Sequence, residues 1–139
     1  MDGESPVTSF LIPEPFDKAL KRVRHALAET ELAISGELDV SDRIRRQLYV
    51  GFSPCRILFV DAPYLLLEAV VVDRAAAAFL PLHVVVSAQG LSTLVYWIDL
   101  AALGPARLPA KAAPLGRLQS QLCRALARVS APADALTGA

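Results

Sequence analysis

Apolar positions along this chain switch between a period of two and a period near 3.6, and each switch marks an element. Val7 to Ile12 is β-branched and apolar enough for a strand, closed by Pro13-Glu14-Pro15, which also supplies a proline suited to the first turn of a helix. Phe16, Leu20, Val23 and Leu27 then recur at spacings of four, three and four, with Asp17, Lys18, Lys21, Arg22 and Arg24 on the other side. That pattern predicts an amphipathic helix packed along one stripe. His25 falls nearly opposite the stripe and reads as a surface residue.

From Leu32 to Val40 the period becomes two: Leu32, Ile34, Leu38 and Val40 alternate with Ala33, Ser35, Glu37 and Asp39, and Gly36 marks a bulge position. Ser41 is the expected N-cap of a short helix that carries Ile44 and Leu48 inward and Arg43, Arg45 and Arg46 outward. Gly51 to Pro54 is a turn. Cys55 to Val60 is a further strand, after which Asp61 or Ala62 caps a helix with Pro63 at its first position and Leu65, Leu66, Ala69 and Val70 as its packed stripe. Asp73 restarts a short helical turn through Ala78.

Leu82 to Ala88 and Leu91 to Asp99 read as an antiparallel hairpin turning at Gln89-Gly90. With the turn centred there, Leu82 faces Trp97, His83 faces Tyr96 and Val84 faces Val95. One face of the hairpin then carries Leu82, Val84, Val86, Val95 and Trp97. The other carries His83, Val85, Leu94, Tyr96 and Ile98, and it too is largely apolar, which a solvated sheet face is not. A second subunit is the expected cover for it, a small lipophilic ligand the next. Beyond Leu103 the proline- and alanine-rich stretch to Pro114 lacks periodicity and leads to a last helix along Leu115, Leu118, Leu122, Leu126 and Val129. Residues 1–130 are expected to form one domain, and residues 131–139 a flexible tail.

Composition sharpens this picture in two places. The 139-residue chain is 54% hydrophobic with a mean hydropathy of +0.42, above the usual content of soluble domains, yet no apolar run reaches the length of a membrane span. The excess calls for a buried surface beyond the core. Fourteen basic residues balance fourteen acidic ones, so the charge surplus that drives nucleic-acid binding is missing. The acidic start, Met1 to Val7, lacks the basic and apolar segments of a secretory signal, and a bacterial-type cytoplasm is the expected compartment. Cys55 and Cys123, far apart and without a neighbouring ligand pattern, read as plain buried thiols.

Several runs resemble a known family: Gly36 to Leu48 (GELDVSDRIRRQL), Ser53 to Val70 (SPCRILFVDAPYLLLEAV) and Phe79 to Ser87 (FLPLHVVVS), followed by the closing helix. Asp39-Val40, Pro54, Arg56-Ile57, Pro63, Leu80-Pro81 and Val84 to Val86 are similar in place to the domain of unknown function family 302. The resemblance covers Val7 to Val129. It implies an α+β domain with a curved antiparallel sheet backed by two main helices, in the β-α-β(4)-α order of the TATA-binding-protein-like folds, and a tendency to dimerise. It implies no reaction, and a fold shared with a DNA-binding protein transfers no function. Many members carry cysteines at the positions of Asp61 and Leu82 and an acidic residue near Ser87; this chain carries none of the three.

Candidate chemistry is sparse. No serine-nucleophile elbow, phosphate loop, dinucleotide fingerprint or metal-ligand spacing occurs, so no catalytic residue, metal or cofactor is assigned. Two readings stay open. The first is a non-enzymatic, dimeric binding or interaction domain that meets a second subunit or a small apolar ligand through His83, Val85, Leu94, Tyr96 and Ile98, with Arg56 nearby; no nucleic acid or membrane is expected as a partner. The alternative is a small enzyme using His83 and Arg56 in a pocket on the sheet.

Overall fold

The computed structural model describes residues 5–103 and 113–130. Five strands, β1 (Val7–Ile12), β2 (Ala33–Asp39), β3 (Cys55–Asp61), β4 (Leu82–Gln89) and β5 (Ser92–Ile98), form one sheet in the order β1-β5-β4-β3-β2. Every neighbouring pair is antiparallel. The helices are α1 (Phe16–Glu29), α2 (Val40–Leu48), α3 (Pro63–Val72) and α4 (Ala113–Ser130), with 3₁₀ turns at Arg74–Phe79 and Leu100–Leu103. The fold is α+β as expected, and setting aside α2 and α3 leaves the order β-α-β(4)-α. The expected tail, residues 131–139, and most of the stretch after Leu103 lie outside the described residues.

The stripe read for α1 is the one that packs. Ala19, Leu20, Val23, Ala26 and Leu27 are buried, while His25 is exposed. α1 ends in a Schellman motif: Glu31 takes a left-handed φ of 62°, the Leu32 N–H donates to the Leu27 carbonyl, and the Glu31 N–H donates to that of Ala28. Leu32 is thereby tucked beside Leu27 in the core. On α4, Leu115, Leu118, Leu122, Leu126 and Val129 are all buried, and these join the α1 stripe over Leu58, Val60, Leu82, Val84, Val86 and Val95 of the sheet. Gln121 of α4 donates to the Thr30 carbonyl at 2.5 Å, tying the two helices at the end of α1. α3 lies against α4, with Glu68 paired to Arg117.

Two local expectations change, and a third, left between two residues, is decided. Asp39, not Ser41, caps α2: its carboxylate accepts from the Asp42 N–H at 2.9 Å, and the Ser41 hydroxyl donates to it at 2.8 Å. A strand ending in an aspartate thus runs straight into the helix. Leu48 does not turn inward. It is 65% exposed, α2 buries no residue at all, and Tyr49 ends the helix in a left-handed conformation. The cap of α3 is Ala62, which makes no side-chain bond, with Pro63 occupying the first turn where a missing N–H costs nothing.

The bulge foreseen near Gly36 divides β2. Ile34 opposes Val60, but Gly36 opposes Phe59 and Leu38 opposes Ile57, so the extra residue Ser35 reverses the side-chain alternation. Ile34 points to the helices and Leu38 to the opposite face, where a strict period of two would have kept them together. The hairpin turn also sits one residue later than expected. Gln89 pairs with Ser92, Gly90 and Leu91 form the two-residue loop, and Gly90 has φ +61°. Positive φ at the first loop residue alone is the type II′ pattern, which requires glycine there. Val84 therefore opposes Trp97 and Val86 opposes Val95. Tyr96 lies opposite Val85, not His83.

Candidate functional site: the open face of the sheet

Because the turn displaces each strand's partner by two, every residue keeps the face expected for it. His83, Val85, Leu94, Tyr96 and Ile98 lie together on the side away from α1 and α4. The pairings extend this face across the whole sheet. Val7 joins it beside Ile98 and Leu11 beside Leu94, while Ile57 comes in opposite Val85, Phe59 opposite His83, and Leu38 opposite Ile57. Reading the hairpin alone missed these five; the alternation of β1 and β3 carried the signal, but only the pairing registers assign it a side. None of the ten belongs to the core cluster or packs against it. Val7, Leu11 and Ile98 are each close to half exposed. Among the described residues the face carries no lysine, arginine or glutamate, and its one carboxylate, Asp61, stands at the end of β3.

Arg56 is not part of this group. It opposes Val86 on β4 and Asp39 on β2, which places it on the helix side. There it donates to Asp39 at 2.9 Å and to Glu37 at 3.3 Å, and Glu37 in turn receives a two-pronged bond from Arg24 of α1. The bond from Arg24 is the main reason the Glu37 carboxyl is held below its usual range; for Asp39 it is the Asp42 N–H. The reversal of β2 at its bulge is what turns Glu37 toward α1. Arg56 is thus a structural tie between sheet and helix, with its Nε buried and unpartnered among the described residues. A catalytic pair of His83 and Arg56 has a sheet between its members.

His83 is exposed, and the edge of its ring meets Phe59 at 5.2 Å between centroids and 76° between planes. A cavity of about 290 Å³ opens beside it, walled by Ala78–His83 with Ile98 and Leu100. Its floor is the start of β4 and the end of β5, and its overhang is the segment leaving the 3₁₀ turn, which includes the cis Leu80-Pro81 peptide. Asp61 is 8% exposed, and desolvation pushes its carboxyl up. Cys55 and Cys123 are both free and half-buried, less enclosed than expected. Burial also pushes the Cys55 thiol up, which keeps it protonated and a poor nucleophile. Among the described residues no three histidine, cysteine or carboxylate side chains are grouped to hold a metal, and no helix is long and apolar enough to cross a membrane.

Residues 9–129 match the domain of unknown function DUF302. The chain belongs to the DUF302 family. Its fold is similar to that in the crystal structure of uncharacterized conserved protein DUF302 from Bacillus stearothermophilus, with a TM-score of 0.78 over 91% of this chain and 99% of that one. The two sequences are 17% identical, so the likeness is one of fold. No match is found among curated proteins. The family's function is unknown.

Proposed function

We propose that this DUF302 protein is a non-enzymatic interaction domain that associates with a second copy of itself through the open face of its sheet. The observation that carries the reading is the row Leu11, Leu94, Tyr96, Val85 and Ile57, which crosses four strands with no contact to the core. A solvated antiparallel face is largely polar and charged, whereas this one sets the uncharged Ser9, Ser87, Gln89 and Ser92 among its apolar residues. Its chemistry suits its own copy: with no lysine or arginine and a single peripheral carboxylate among its described residues, two such faces meet without like charges opposed. The excess of apolar residues in the composition finds its place there.

Sedimentation at micromolar concentration tests the reading. The wild type is expected at twice 14.9 kDa. Leu94→Lys is expected to sediment as a folded monomer, because an unpaired ion in a dry interface costs several kcal/mol. A monomeric wild type, or a dimer that tolerates Leu94→Lys, would overturn the reading.

A further inference from the structure

We infer that the cavity beside His83 is a binding site for a compact, uncharged, mainly aromatic or hydrocarbon molecule carrying one hydrogen-bonding group. The inference goes beyond self-association and does not require it, since every wall comes from one chain. The chemistry of the walls sets the class of ligand. Phe79, Leu80, Pro81, Leu82, Ile98 and Leu100 offer hydrocarbon surface, none of the described lining residues is a carboxylate, lysine or arginine, and Pro81 has no N–H to give. A phosphate, sugar or metal ion would lose its water there and gain nothing in exchange. An apolar molecule loses nothing, and apolar cavities of about 150 Å³ already hold benzene. The volume of about 290 Å³ accordingly fits a ligand of roughly ten non-hydrogen atoms.

The single polar group has one place to go. His83 stands at the wall, its ring oriented by the edge contact with Phe59, and neither ring nitrogen is hydrogen-bonded among the described residues. One nitrogen is free to accept from a ligand hydroxyl or to donate to a ligand oxygen. The walls are held in place before any ligand arrives. The start of β4 is paired to β3 and the end of β5 to β1. The overhanging turn is capped by the Asp73 carboxylate on the Ala75 N–H at 2.9 Å and closed by the Leu80 N–H on the Ala77 carbonyl at 3.1 Å. A preformed pocket avoids the ordering cost that weakens small-ligand binding.

Titration of the ¹⁵N-labelled protein with 1-naphthol and with 1-methylnaphthalene, which has the same size but no hydroxyl, tests the site. Both are expected to bind saturably, with shift changes centred on Ala78–His83, Ile98 and Leu100. 1-Naphthol is expected to bind about five-fold tighter, the worth of one net hydrogen bond, and His83→Phe to erase that preference. Ala78→Trp, a change at an exposed position on the rim, is expected to weaken both probes at least ten-fold with the thermal midpoint held. Absence of saturable binding, shift changes centred elsewhere, or equal affinity of the two probes for the wild type would overturn the inference. The shift map decides it even if Ala78→Trp fails to fold.

Discussion

Leu27→Ala probes the point where α1, α4 and the sheet meet. Leu27 is 0% exposed, lies one turn beyond Val23 on the packed stripe, and touches the cluster that includes Leu58, Val84 and Leu122. The substitution removes three carbon groups, a transfer loss of about 2.4 kcal/mol at about 0.8 per methylene. The surroundings cannot collapse into the space. Sheet pairing fixes one wall and the Gln121 to Thr30 bond holds α4 against the other, so a cavity cost adds to the transfer loss. Leucine-to-alanine changes in such sites cost about 2–5 kcal/mol, and the upper half of that range is expected here. With a urea slope of about 1–3 kcal/mol per molar, the unfolding midpoint should fall by at least about 1 M. His25→Ala, on the wet side of the same helix, is the control and should stay within about 0.5 kcal/mol. Equal midpoints for Leu27→Ala and the control would refute the packing described for α1.

Acid should destabilise the fold through named carboxylates. Glu14 is held below its usual value of 4.5 chiefly by Arg22, Glu37 below 4.5 chiefly by Arg24, and Asp39 below 3.8 chiefly by the Asp42 N–H. Their contribution is complete above those usual values and is lost as pH falls through the lower folded ones; a urea midpoint that stays level from pH 6 down to pH 2 would contradict this. Asp61 has the opposite sign. Burial raises its folded value above 3.8, so its ionised form opposes folding at neutral pH. Asp61→Asn should raise the midpoint at pH 7, with the gain fading as pH falls through the raised folded value and gone below about pH 3.8; a lower midpoint at pH 7 would show that the carboxylate has a partner worth more than its desolvation cost.

Much of the fold is legible in local pattern because local pattern is what decides it. The stripes of α1 and α4 are set by burial on one side, and a period of 3.6 reports that directly. The two sides of the hairpin are equally secure, since parity survives a displacement by two. What escaped depended on single residues with two uses. Leu91 looks like a strand residue, yet it is 86% exposed in the turn, because Gly90 at positive φ must take the first loop position. Ser41 resembles a cap, but the strand already delivers Asp39 to the same N–H groups. Arg56 showed no face at all, since its side depends on the pairing of β3 with its neighbours. The cavity was invisible for a related reason: its overhang, Phe79 to Pro81, is remote from Ile98 and Leu100 until the hairpin closes.

The two edges of the sheet bear on the manner of assembly. β1 is six residues long and bracketed by Pro6 and Pro13, with the Val7 N–H already taken by the Ser5 hydroxyl. β2 is bent by its bulge at Ser35 and carries Glu37 and Asp39 committed to arginines. Neither margin offers a long, straight row of unpaired peptide groups, and short or bulged margins are how sheets resist growing sideways. In the self-association proposed above, a second copy would thereby be steered away from extending the ladder into a ten-stranded ribbon. It would stack instead, sheet over sheet at a spacing of about 10 Å, so that side chains rather than backbones decide who pairs with whom.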